Sequence, residues 1–274
     1  MQQTFENLFR KRNPNYAFLI NRMQTALNVK EVSFNNINST DLRTFKEYME
    51  TSVSPNSLKT YFAVIKAFCR ECENDGLIPS SSCTSVLKSK TTPSEQIALT
   101  EEEINRIEHY VPRTQAEKHI KAQFLCECYC LARSSDIKRL TDENIRDGFI
   151  TYVSQKTHVG TSVPLHKNFL KYFHQRGREY SRAQYNKVIK RICQRVGIDE
   201  ETKIFYHGKL RTVKRYELVG SHTARRSGIS ALAVRGVPLS VIQKLANHTN
   251  TTMTERYVVV NTKQLEDNVM AYFS

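Results

Sequence analysis

Residues 80–96, SSSCTSVLKSKTTPSEQ, limit the fold of this chain more than any other stretch. Serine and threonine side chains compete for backbone hydrogen bonds and Pro93 removes a donor, so neither helix nor strand is expected there. At 274 residues the chain is long enough for two cores, and this tract falls where one would end and the next begin. The expected division is a helical unit over residues 1–90, a linker over 91–97 around Pro93, and a second unit over 98–274.

Apolar residues recur at helical spacing on both sides of the tract, and strand alternation enters only after Gly148. Before it, Leu19, Ile20, Met23, Ala26 and Leu27 follow helical spacing, as do Leu42, Phe45, Tyr48 and Met49. A third helix opens with Ser54 as N-cap and Pro55 in its first turn, carries Leu58, Phe62, Ile65 and Phe68, and stops at Gly76. After it, Thr100 and Glu103 spell a capping box, and a longer helix runs through Ile120, Phe124, Cys128 and Leu131. The segments FITYVSQ and GTSVPL then alternate as strands, which predicts a hairpin with Lys156 near its turn. A helix from Ser181 to Gly197 follows, then a second hairpin around His207-Gly208 and a mostly helical remainder from Thr223. The fold class expected is mainly α with small β-hairpins.

Lys and Arg number 41 against 27 acidic residues, a formal charge of +14, which favours a polyanionic partner. Charge alone does not separate DNA from RNA or an anionic membrane. The opening MQQTFENLFRKRNPN lacks a secretion signal and no run approaches the roughly 18 apolar residues of a membrane span, so a cytoplasmic, DNA-associated protein without membrane partners is expected. Of seven cysteines, Cys69 and Cys72 form a CxxC and Cys126, Cys128 and Cys130 alternate. No second pair completes a zinc tetrahedron, and both groups sit in apolar helical patterns, so they read as reduced, buried thiols and no metal site is expected.

Breaking a phosphodiester without metal requires a nucleophile, donors for the non-bridging oxygens and a proton for the leaving hydroxyl. The second unit offers all three: LARSSDI around Arg133, SHTARRS around His222 and Arg225, LANH ending at His248, TERY ending at Tyr257, and the hairpin lysine in QKTHVGTSVPL. Taken singly these are weak signals, because an HxxR or a lone tyrosine is common and Lys156 alone reads as a solvated hairpin lysine. Together, in this order and spacing, they resemble the tyrosine recombinase (phage integrase) family.

That resemblance implies a fold and a set of roles. The first unit is similar in character and position to the family's core-binding (SAM-like) domain, and the second to its mixed α/β catalytic domain. Tyr257 would be the nucleophile. Its phenol, with an ordinary pKa of about 10, needs help near neutral pH, and His222 would be the base. Arg133 and Arg225 would hold the phosphate oxygens, His248 would donate a further hydrogen bond, and Lys156 would protonate the departing 5′-oxygen, with His158 on the same hairpin as the substitute. Asp136 would orient a neighbour, while Arg226, Lys59 and Lys66 are candidates for contacts to DNA. No cofactor is implied.

The function implied is site-specific DNA recombination through a 3′-phosphotyrosine intermediate, without metal or ATP. It would proceed as a homotetramer on double-stranded DNA with inverted-repeat core sites, and an accessory DNA-bending protein is a candidate partner. The last helix, with Leu265, Val269, Tyr272 and Phe273 on one side, would dock on a neighbouring protomer or pack within its own chain. Two alternatives stay open: a non-catalytic DNA-binding protein, and a type IB topoisomerase-like strand transferase. Three positions depart from the family pattern. Leu131 and Asn247 stand where glycines are usual, and Gly228, where the family has a bulkier residue, is expected to weaken its helix's packing.

Overall fold

The computed structural model describes residues 4–90, 97–206, 209–248 and Thr254. Tyr257, the pair His207-Gly208 and the expected terminal helix lie outside the described residues. The expected linker, apart from Ile97, also lies outside them, and the described residues fall into two compact units, 4–90 and, in the main, 97 onwards.

The first unit is helical: α1 (Phe5–Arg12), α2 (Phe18–Leu27), α3 (Ser39–Glu50) and α4 (Pro55–Asn74). The sequence reading missed α1, where Phe5, Leu8 and Phe9 sit one turn apart in only eight residues, too short a window for the period to stand out. Thr4 caps it, and its phenylalanines meet Phe68 of α4 edge to face. Helix α4 starts as its signals dictate: Ser54 Oγ accepts from Ser57 N, with Pro55 in the first turn. Cys69 and Cys72 lie fully buried in this core.

In the second unit α5 (Glu101–His109) follows the capping box of Thr100 and Glu103, and α6 (Gln115–Cys130) runs through the middle. From Ile120 to Cys128 every residue of α6 is buried, which is the pattern of a helix packed on all sides rather than one lying on a surface. After it come the one-turn α7 (Ser134–Ile137), β1 (Ile145–Arg146), β2 (Phe149–Val153) and β3 (Gly160–Pro164). The hairpin register pairs Ile150 with Val163 and Tyr152 with Thr161. Those four side chains face inward, and Phe149, Thr151 and Val153 face out, the period-two alternation visible in the sequence. The short β1 adds a third strand that the sequence did not announce. Next are α8 (Phe169–Phe173), α9 (Arg182–Arg195), the two-stranded β4 (Glu201–Tyr206) and β5 (Lys209–Lys214), α10 (Thr223–Val234) and α11 (Leu239–Leu245). Among the described residues no helix is long and apolar enough to cross a membrane.

The expectation for Gly228 is corrected. Helix α10 lies so close to α6 that a Cβ at Gly228 would stand 2.1 Å from the Cys128 carbonyl oxygen and 2.6 Å from Leu131 Cδ2. The missing side chain therefore permits the contact instead of weakening it. Leu131, at the C-terminal end of α6, takes the left-handed backbone (φ 55°) that suits glycine, at a cost of about 1–3 kcal/mol. Its side chain recovers part of that by packing with Ile229, Ile242 and Ala246. Alanine in place of glycine ordinarily stabilises a helix by roughly 0.8–1.0 kcal/mol. Here Gly228→Ala should instead destabilise by about 1–3 kcal/mol through overpacking. Urea unfolding of the two proteins checks the sign, and a more stable variant would mean that the helices part without cost.

Candidate active site

Among the expected cationic site residues Arg225 is the most enclosed, with 2% of its surface exposed. A buried guanidinium must be hydrogen-bonded or its desolvation goes uncompensated. Its two terminal nitrogens donate to the carbonyls of Leu131 and Ala246. These residues are the C-caps of α6 and α11, where helices leave carbonyls without partners and carry partial negative charge. One cation thus satisfies two helix ends.

Each of those ends leads, two residues on, to another expected site residue. From Leu131 the chain reaches Arg133, whose Nη1 donates to Ser154 Oγ at 2.9 Å and lies 4.0 Å from Asp136 Oδ2. Asp136 is 1% exposed and accepts from Ser154 Oγ (3.2 Å), Gln155 N (2.9 Å) and Arg139 Nη2 (3.1 Å). Its carboxylate is held by three donors, an arrangement that fixes Ser154 and through it orients Arg133. From Ala246 the chain reaches His248 through Asn247, which has φ 51°.

Arg133, Lys156, His222 and Arg225 line one cleft of about 600 Å³, together with Lys138, Arg139, Arg182 and Tyr185. Lys156 sits on the exposed loop between β2 and β3. His222 opens onto the cleft but is crowded by protein on its other sides. That partial burial, and then the charges of Arg182, Arg225, Arg226 and Lys156, push its pKa below the ordinary value. His248 is 6% exposed, and burial followed by Arg225 and Arg133 pushes it down to about 4. Both rings are therefore neutral near pH 7. His248 Nδ1 lies 3.0 Å from Thr254 Oγ1. If that hydroxyl is the donor, the ring proton sits on Nε2.

Other expected residues lie elsewhere. Arg226 is buried at 5% exposure, so the exposed Arg139 and Arg182 at the cleft are better placed to meet a phosphate. Lys59 and Lys66 stand two turns apart on α4 of the first unit. His158, in the Lys156 loop, adopts φ 54° and is exposed, but it is not among the residues lining the cleft. Burial pushes Cys130 up to about 12 and Cys126 higher still, which suits packing groups and not ligands. Among the described residues no group of three His, Cys, Asp or Glu side chains is placed to hold a metal ion.

The phage integrase family model matches residues 98–264, and the phage integrase SAM-like domain model matches residues 5–90. The chain belongs to the phage integrase family, the tyrosine recombinases. Its fold is similar to that of a lambda integrase fragment in a dimer bound to a COC′ core site, with TM-score 0.69, 15% identity and 94% of each chain covered. It is also similar to the Tn1549 transposon integrase in complex with a circular intermediate DNA, with TM-score 0.61, 15% identity and 97% of each chain covered. A third structure is a lambda integrase tetramer bound to a Holliday junction, with TM-score 0.64 and 14% identity over 90% of this chain and 76% of that one. No curated protein matches the chain in sequence. As family members these proteins share its two-part fold, a helical SAM-like domain followed by a mixed α/β integrase domain.

Sequence reasoning missed the supports of this integrase site. Ser154 left no signal, because a serine ending a strand is ordinary, and Asn247 stood out only as a replacement for a glycine, not as a hydrogen-bond donor to Val159. Glu127 also went unremarked on its apolar helix. It is fully buried behind the cleft, accepting from Gln123 Nε2 (2.7 Å) and Tyr185 Oη (3.3 Å). Burial pushes its pKa up to about 8 from 4.5. Between those values the folded chain keeps a proton that the unfolded chain releases, so the stabilisation is complete below about 4.5 and is lost as pH rises towards 8. Glu127→Gln cannot ionise and should gain on the native protein over that range, by up to roughly 1.4 kcal/mol per pH unit. Urea midpoints at mildly acid and mildly alkaline pH measure this, and a pH-independent difference would show that the carboxylate is ionised in the fold.

Proposed function

We propose that the protein is a site-specific DNA recombinase that cuts and rejoins duplex DNA through a 3′-phosphotyrosine on Tyr257, using neither metal nor ATP. The observation that carries the reading is the cleft in which Arg133, Lys156, His222 and Arg225 converge, four residues drawn from three separate sequence segments. The expected boundaries, a core-binding domain over 1–90 and a catalytic domain over 98–274, follow the Ser/Thr-rich tract around Pro93.

In this reading the Tyr257 oxygen bonds to phosphorus as the P–O5′ bond breaks. The phenolic proton passes to His222, which partial burial and then the surrounding cations keep neutral and able to accept it. Arg133 and Arg225 hold the non-bridging oxygens, and His248 donates a further hydrogen bond where negative charge grows. Lys156 gives its proton to the leaving 5′-oxygen. One phosphodiester is exchanged for another, so the bond energy is kept and ATP is unnecessary. By likeness to the lambda integrase assemblies on a core site and on a Holliday junction, the substrate is duplex DNA with inverted repeats and the working unit a tetramer.

The test uses nicked duplexes tiling the DNA that flanks the gene, in EDTA. The native protein should form an adduct that survives denaturant, and Tyr257→Phe should bind the same duplex without forming it. An undiminished adduct in the variant, or cleavage only with added Mg²⁺, would remove the proposal. A native protein that binds but never forms an adduct would make it a non-catalytic DNA-binding protein. The +14 charge adds a second expectation: affinity should fall log-linearly with salt, with a slope of about −0.9 for each phosphate contact. A flat response would leave the charge without a role.

A further inference from the structure

The turn leading into His248 contains an unexplained choice of residue. Asn247 has φ 51°, a conformation that glycine adopts at lower cost. Its side chain is buried, 8% exposed, and Nδ2 donates at 3.0 Å to the carbonyl oxygen of Val159. Val159 ends the loop that carries Lys156.

That loop is closed and held at both feet. Ser154 N donates to Val159 O at 3.0 Å and His158 N donates to Ser154 O at 2.9 Å, so residues 154–159 form a self-bonded turn. One foot is fixed where Gln155 N meets Asp136. The other is fixed by Asn247, whose amide takes the second lone pair of the Val159 carbonyl. Ser154, at the base of the turn, also holds Arg133 through its hydroxyl. Lys156 is exposed and long, and its reach into the cleft is set by where these feet are pinned.

We propose that Asn247 is a positioning residue: its side-chain amide ties the Lys156 loop to the turn bearing His248, so that the proton donor and the phosphate-binding groups share one frame. Removing the amide unties that foot from the turn bearing His248, leaving it held only within its own hairpin, while Arg133, Arg225 and His248 stay attached to their own supports. The defect should therefore fall on delivery of the proton and not on binding of the phosphate. The inference rests on the reading of Lys156 as the proton donor, and the experiment below separates the two.

Two variants remove the donor while tolerating φ 51°. Asn247→Gly takes the backbone angle without strain, and Asn247→Asp keeps the size but presents only acceptors to the carbonyl. Single-turnover cleavage is measured on the duplex cut in the adduct assay, made with oxygen or with sulfur at the bridging 5′ position. A departing thiolate is a weak base and needs little protonation. Both variants should bind the duplex as the native protein does and cleave the oxygen substrate roughly 10–100-fold more slowly. On the sulfur substrate they should recover to near the native rate, as Lys156→Ala should. If Asn247→Gly does not fold, Asn247→Asp decides alone. Native rates on the oxygen substrate would overturn the inference. So would an equal loss on both substrates while Lys156→Ala recovers, since the amide would then be supporting the phosphate site or the fold at large. If Lys156→Ala itself fails to recover on sulfur, the assignment of the acid falls, whatever Asn247 does.

Discussion

The active region depends on one buried cation. Arg225 is sealed from water, and its desolvation is offset because two helices, α6 and α11, end against it with carbonyls that need a donor. The contact is structural before it is chemical. By joining the end of α6 to the end of α11 it brings together two chain segments more than a hundred residues apart, each two residues short of a group proposed to handle phosphate, Arg133 and His248. A lysine would not hold the same geometry: an ammonium can bridge two carbonyls, as Lys121 does between Glu108 and Tyr110, but only from one nitrogen and without the planar fork that fixes the directions.

With that frame in place, the electrostatics of the cleft follow from crowding. Arg133, Lys138, Arg139, Lys156, Arg182 and Arg225 line it against a single lining carboxylate, Glu179, which pairs with Lys138, while Asp136 behind them is already shared between Arg139, Ser154 and a backbone amide. The positive field therefore remains largely uncompensated inside the protein. Burial first, and then this field, depresses both histidines. The field would be met by the charge of a phosphodiester without any group having to reorganise at the moment of reaction.

Much of this was legible in the sequence. Helices with strong caps, such as those begun by Ser54 and Thr100, form where their signals place them, because capping is local chemistry acting on neighbouring residues. The β2–β3 hairpin was legible for a similar reason: alternation over five residues on each side fixes both the register and the inward face. Arg133, Lys156, His222 and Arg225 could be named from motif order alone. What could not be read were contacts made through space by ordinary residues. Ser154 under Arg133, Glu127 behind the cleft and Asn247 against Val159 acquire meaning only when segments far apart in the chain meet. Helix α1 failed for the opposite reason, being too short for its period to be distinguished from chance.

The departures from the family pattern show how such distant contacts constrain one another. In sequence, a leucine in place of a glycine at position 131 and a glycine in place of a bulkier residue at position 228 look like two unrelated defects. In the structure they are one arrangement, because Leu131 Cδ2 occupies the space that a Cβ at Gly228 would need. The volume lost from α10 is regained at the end of α6. The backbone strain of a left-handed leucine is carried by the apolar packing that the leucine makes possible. It also leaves the Leu131 carbonyl directed at Arg225. A glycine at position 131 would relieve the strain and lose the packing, and a larger residue at position 228 would push α10, and Arg225 with it, away from α6. The two positions are therefore coupled by direct contact, and both bear on the cation on which the cleft is built.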